Sequence, residues 1–188
     1  MKRCIGTVVE QLDGEPTPSR ENAKMGTVLP ILQALAWDVF DADTVRYDEA
    51  NFAVALRDGQ ARPQLFLEIH GARFDSGTVP GLLSRARRAG VSLVVLTNGP
   101  AWRLYVAEAE ADSASRVFKL DPCRTESSES AATLCRYLGR HRVLNGAAAK
   151  DAIGANTNTS KREQEARAGA AVAGLEFGTD VIVDFRSP

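Results

Sequence analysis

The run Val91-Ser92-Leu93-Val94-Val95-Leu96-Thr97 constrains the chain most. It is uncharged, it follows Gly90, and it ends at Asn98-Gly99, the strongest turn signal in the sequence. It reads as a buried strand, and a strand apolar on both faces requires a covering layer on each side of its sheet. The surrounding sequence offers further strands. Phe52 to Leu56 and Gln64 to His70 flank Arg57-Asp58-Gly59-Gln60, a hairpin signal, and Ala101 to Val106 and Val117 to Leu120 follow the buried run.

Helices are expected around these strands. Met25, Val28, Leu29, Leu32 and Leu35 recur at three- and four-residue steps after a start at Ser19 or Arg20, with Pro30 expected to kink or split the helix. Trp37 and Val39 are expected to carry the chain into a strand or extended segment. A second helix spans Val79 to Ala89, with Gly90 as its stop. A third runs from Glu126 to Leu138 and gathers Ala131, Leu134, Cys135 and Leu138 on one side. The expected class is α/β, a small mixed sheet flanked by helices. Residues 1–20 read as a strand-and-turn extension and 21–146 as the domain. Residues 147–188 read as a linker, most clearly at Gly154 to Ser160, then a charged helix from Lys161 to Ala168 and a possible edge strand, Val181 to Phe185.

Length and composition limit the function classes. The 188 residues suit one domain large enough for its own core, with 44% apolar and 25% charged residues. Twenty-three basic against 24 acidic residues exclude a globally basic nucleic-acid sponge and an acidic disordered tail. No apolar run approaches a membrane span, and charged residues interrupt any secretory signal. Cys4, Cys123 and Cys135 form no C-x-x-C, which suits reduced thiols and a cytoplasmic location. With only His70 and His141 besides, a structural zinc site is not expected.

Glu68 is the residue with most chemical interest. It interrupts the apolar strand Leu65 to Ile69, and strand alternation puts it on one face with Phe66 and His70. It is either a solvated strand-end carboxylate or a site carboxylate that needs a partner. Asn51, Ala53 and Ala55 share a face of the preceding strand. Trp102 and Tyr105 have opposite parity, so only one is expected to face the core.

These segments carry a family resemblance. Glu21 to Lys24, Leu29 to Phe40, Asp41 to Val45, Phe52 to Leu56, Asp58-Gly59, Leu65 to His70 and Val95-Leu96-Thr97-Asn98-Gly99 with Trp102 and Tyr105 occur in one order. The set is similar to the N-terminal domain of type I restriction enzyme R subunits, and especially resembles predicted stand-alone type IV restriction nucleases. The match covers about two-thirds of the chain. It implies a restriction-endonuclease-like, PD-(D/E)XK fold that hydrolyses DNA with Mg²⁺. In that family an Asp at the end of one strand and a Glu on the next hold the metal. A Lys two residues after the Glu faces the same site, and a Glu on the preceding helix completes it.

The chain departs from that pattern. Ala53 stands at the Asp position and His70 at the Lys position, while Gly81 and Arg85 stand at the family's Gln and Tyr on the next helix. Glu68 and Glu21 remain. The catalytic set implied is Glu68, His70 and Glu21, with Glu68 and Asn51 as metal ligands if Mg²⁺ is bound. Asp48 and Glu49, expected in a loop, are further candidates. Weak or absent phosphodiesterase activity follows; an active enzyme with a rearranged site is the alternative.

The charge distribution bears on partners. Over residues 61–105 six arginines face Glu68 and Asp75, a formal +4, whereas residues 1–60 hold ten acids and six bases. Arg73, Arg85, Arg87 and Arg88 are candidates for contact with DNA phosphates; a solvated helix face is the plainer reading. No nucleotide-binding motif is present. A homodimer or another protein-interaction module remains a reading from a different class.

Overall fold

The computed structural model describes residues 19–48, 53–71, 74, 77–107, 115–120 and 127–158. The chain divides into two units, Met1–Asn156 and Thr157–Pro188, and nearly all described residues lie in the first. Asn51, Glu49, Arg73, all but the last two residues of the strand-and-turn extension read over 1–20, and the elements expected between Lys161 and Phe185 lie outside the described residues.

The first helix, α1, has three stretches: Arg20–Ala23, a π turn over Lys24–Val28, and Leu29–Ala34. Ser19 caps it, its hydroxyl accepting from the Asn22 amide at 3.2 Å. The break expected at Pro30 takes the form of the π turn just before it. A wider turn relieves the clash between the proline ring and the carbonyl four residues back.

Trp37 and Val39 do not begin a strand. They are buried in a turn segment that aspartates hold by local side-chain bonds. Asp38 accepts from the Phe40 amide at 3.1 Å, and Asp41 accepts from the Asp43 amide at 2.9 Å and the Thr44 hydroxyl at 2.6 Å. The strand comes later, as β1 (Val45–Asp48), so Asp48 is a strand residue and not a loop residue.

Five strands follow: β2 (Ala53–Arg57), β3 (Pro63–Ile69), β4 (Leu93–Thr97), β5 (Trp102–Val106) and β6 (Ser115–Leu120). Their spatial order equals their sequence order. Every neighbouring pair is antiparallel except β3 and β4, which are parallel. The exception arises because the helix α2 (Thr78–Arg88) connects them, as a parallel pair requires a crossover. The β2–β3 turn is pinned by Asp58, which accepts from the amides of Gln60 and Arg62 at 2.9 Å and from Arg62 Nε at 3.0 Å.

The chain closes with α3 (Ser127–Leu138), α4 (Arg140–Leu144) and α5 (147–158). The stretch read as a linker from Gly154 is therefore helical as far as residue 158. Ala148 and Ala152 of α5 are fully buried, which anchors it.

The sheet has a core on each face. On one, Leu56, Leu65, Leu67 and Trp102 pack with Ile31 and Leu32 of α1 and Leu134 and Leu138 of α3. On the other, Leu82, Leu83 and Ala86 of α2 pack on Val94, Leu96 and Tyr105. Trp102 and Tyr105 are thus both buried despite their opposite parity, each in its own core. Among the described residues the second core contains none from β1 or β2. That face of those two strands is where the candidate site opens.

Candidate functional site

Strand register sets the geometry. Ala53 lies directly opposite Glu68, and Ala55 opposite Phe66, in the β2–β3 ladder. Across β1, Asp48 faces Ala53 and Arg46 faces Ala55. Directly paired residues point to the same side of a sheet. Asp48, Ala53 and Glu68 therefore form one row, and Arg46, Ala55 and Phe66 the next, on the side that carries α2.

Glu68 is occupied on both oxygens. Its side chain is 13% exposed, with Oε2 3.5 Å from an Arg85 guanidinium nitrogen and Oε1 3.2 Å from His70 Nε2. Arg85 reaches it from α2 with its guanidinium 5.7 Å from the Phe66 ring centre. The His70 contact is close but lies off the hydrogen-bond direction, so the buried Nε2 has no hydrogen bond among the described residues. His70 itself is held by its backbone, which donates to the Thr97 carbonyl at 2.7 Å and extends the β3–β4 ladder. Its ring lies 5.8 Å from that of Phe74, and the Arg103 guanidinium lies over the same Phe74 ring, 4.1 Å from its centre. Glu68 is neither a freely solvated strand-end acid nor an unpartnered one.

Glu21 stands apart from this cluster. It lies in the first turn of α1, 59% exposed, where the helix dipole favours a carboxylate. It pairs with Lys24 at 3.6 Å. Both line a cleft of about 320 Å³ with Tyr47, Asp48, Ala53 and Ile69. Lys24 is the residue that sequence reasoning missed. Its side chain is only 16% exposed and its ammonium sits 5.4 Å from the Tyr47 ring centre. The signal was its spacing, four residues before Val28 and seven before Ile31, both fully buried, whereas Met25, which the sequence put on the apolar stripe, is exposed. Burial pushes the Tyr47 hydroxyl up to about 12, so it stays neutral and donates to the Val39 carbonyl at 3.2 Å.

A second cleft, of about 440 Å³, shares Tyr47, Asp48, Ala53 and Val54 with the first and adds Arg46, Ala55, Phe66 and Arg85. The two openings meet at Ala53.

The arginines of α2 diverge. Arg85 joins Glu68, Arg87 lines a separate cleft with Gly90, Val91 and Val106, and Arg88 is exposed, its Nε donating to the Ser84 carbonyl at 3.4 Å.

A hard cation needs several oxygen ligands. Ala53 supplies none, and the Glu68 oxygens face Arg85 and His70. Among the described residues no group of three or more His, Cys, Asp or Glu side chains could hold a metal ion. The residues as arranged do not fit Mg²⁺ without movement of these side chains. No described helix is long and apolar enough to cross a membrane. No family model, no curated protein and no solved structure matches the chain.

Proposed function

We propose that this is a restriction-endonuclease-like domain that associates with DNA and hydrolyses phosphodiesters weakly or not at all. The observation that carries the reading is the row Asp48–Ala53–Glu68, in which the residue opposite the retained glutamate has no ligand atom. A carboxylate paired with Arg85 and facing His70 is neutralised in place, so a divalent cation would have to displace both. Arg88, exposed on α2, and the excess of arginine over residues 61–105 support contact with phosphates, which salt would weaken.

The register favours one second reading. Asp48 puts a carboxylate one strand from the vacant position on the same face as Glu68. An active enzyme with a displaced ligand would use it. Incubating the chain with supercoiled and single-stranded DNA in Mg²⁺ or Mn²⁺, beside Glu68→Ala and Asp48→Asn, separates the two. The first reading expects no cleavage above that of Glu68→Ala. Cleavage lost in both variants would replace it with the second. Failure to retain DNA even at low salt would remove the DNA reading altogether.

A further inference from the structure

The cleft formed by Arg46, Ala53, Ala55, Phe66 and Arg85 has features that the proposed DNA association does not use. Its volume, about 440 Å³, falls in the range of small-ligand sites. Its floor is made of two alanines that neighbour each other on one face of β2. Its wall is Phe66, half-buried, with the Arg85 guanidinium over the ring. Arg46 stands exposed on the edge strand, and Arg85 remains 39% exposed although it pairs with Glu68. Among the described residues the apolar core under α2 draws on β3, β4 and β5 and on neither β1 nor β2, which leaves the cleft open beside it.

These parts suit a planar group that carries a negative charge at its margin. Nucleobases stack on aromatic rings and on guanidinium planes, and arginines take the adjoining phosphates. A small-residue floor gives a flat base the depth it needs, and Asp48 on the same wall is an acceptor for an exocyclic amine rather than a neighbour for phosphate. A paired base cannot present its face to such a slot, so the occupant is an unpaired one.

We infer that this cleft binds one unpaired nucleotide of a nucleic-acid strand, with the base between Phe66 with its Arg85 and the alanine floor, and the phosphates at Arg46 and Arg85. The inference takes its ligand class from the DNA reading and adds a preference for single strands. Ala55→Leu fills the floor at a partly exposed position, and Phe66→Leu removes the ring while keeping an apolar side chain.

The test titrates the full chain with fluorescent oligo(dA) and with duplex of equal length, and adds dAMP followed by NMR. The wild type is expected to favour the single strand. Each variant is expected to lose single-strand affinity by about tenfold, the scale of one stacked base, and to keep duplex affinity and its melting temperature. Unchanged single-strand binding in a folded Ala55→Leu overturns the inference, as does wild-type binding to duplex alone; both leave the DNA reading standing. If neither DNA binds, the DNA reading and the inference fall together, and a dAMP shift lost in Ala55→Leu would replace them with a site for a free nucleotide. Binding of neither DNA nor dAMP overturns both.

Discussion

At the residue scale, the buried polar groups separate those that build the fold from those that define the site. Trp37 Nε1 donates to the Leu138 carbonyl at 2.8 Å, joining the end of α1 to the end of α3 with only 1% of the residue exposed. Trp37→Phe removes the donor, strands a buried carbonyl and leaves a void. A loss of ~1–3 kcal/mol is expected, read as a lower urea midpoint with an unchanged slope. An unchanged midpoint would show that the carbonyl finds another donor. His70 is the contrasting case, because its buried Nε2 faces Glu68 without a hydrogen bond. The alternation of the β3 strand already put Glu68 and His70 on one face, so their meeting was legible in the sequence. Arg85 was not legible as their partner. It stands seventeen residues from Glu68 on another element, and no local pattern encodes that distance.

At the element scale, turn chemistry carried most of the legible fold. Asp58-Gly59 and Asn98-Gly99 close the two hairpins where expected, and Gly90 ends α2 with φ +70. β1 was missed because Val45-Arg46-Tyr47-Asp48 is four residues long with two charges, too short to establish a period. The cover expected on both faces is present as two cores, and the expectation that only one of Trp102 and Tyr105 faces the core failed because opposite parity puts each in a different one. The β4–β5 turn also has a docking role. Gly99 has φ +94, and a Cβ there would lie 3.4 Å from the Ala23 Cβ and 3.5 Å from Thr27 Oγ1, both on α1. Gly99→Ala imposes a disfavoured left-handed backbone, while the added Cβ meets α1 at ordinary van der Waals distance. It is expected to cost ~1–3 kcal/mol, a drop of several degrees in Tm by calorimetry. A variant that melts with the wild type would mean that the turn relaxes to a backbone that alanine takes without strain.

At the scale of the whole molecule, acidic residues fasten joints between elements as well as setting the near-neutral charge. Asp41 closes the turn ahead of β1, Asp58 the turn between β2 and β3, and Asp151 ties α5 to α3 and α4 through Arg136 at 2.9 Å and Arg142 at 2.7 Å. Each carboxyl is held below its ordinary value. The Thr44 hydroxyl is the main cause at Asp41, the Arg62 amide at Asp58 and the Arg136 guanidinium at Asp151. A carboxyl whose pKa is lower in the folded chain binds its proton less readily there than in the unfolded chain. Its contribution is complete above the unfolded value, about 3.9, and drains away as pH falls through the folded value. Thermal stability is therefore expected to hold from neutral pH down to roughly pH 5 and to fall below about pH 4. Asp58→Asn should melt lower than the wild type at neutral pH, because its amide keeps the acceptor but loses the charge facing Arg62. It should also show a shallower acid limb, since one of the three titrating joints is gone. A parallel acid limb in melting curves across pH would mean that Asp58 contributes nothing to acid stability and that the load rests on Asp41 and Asp151.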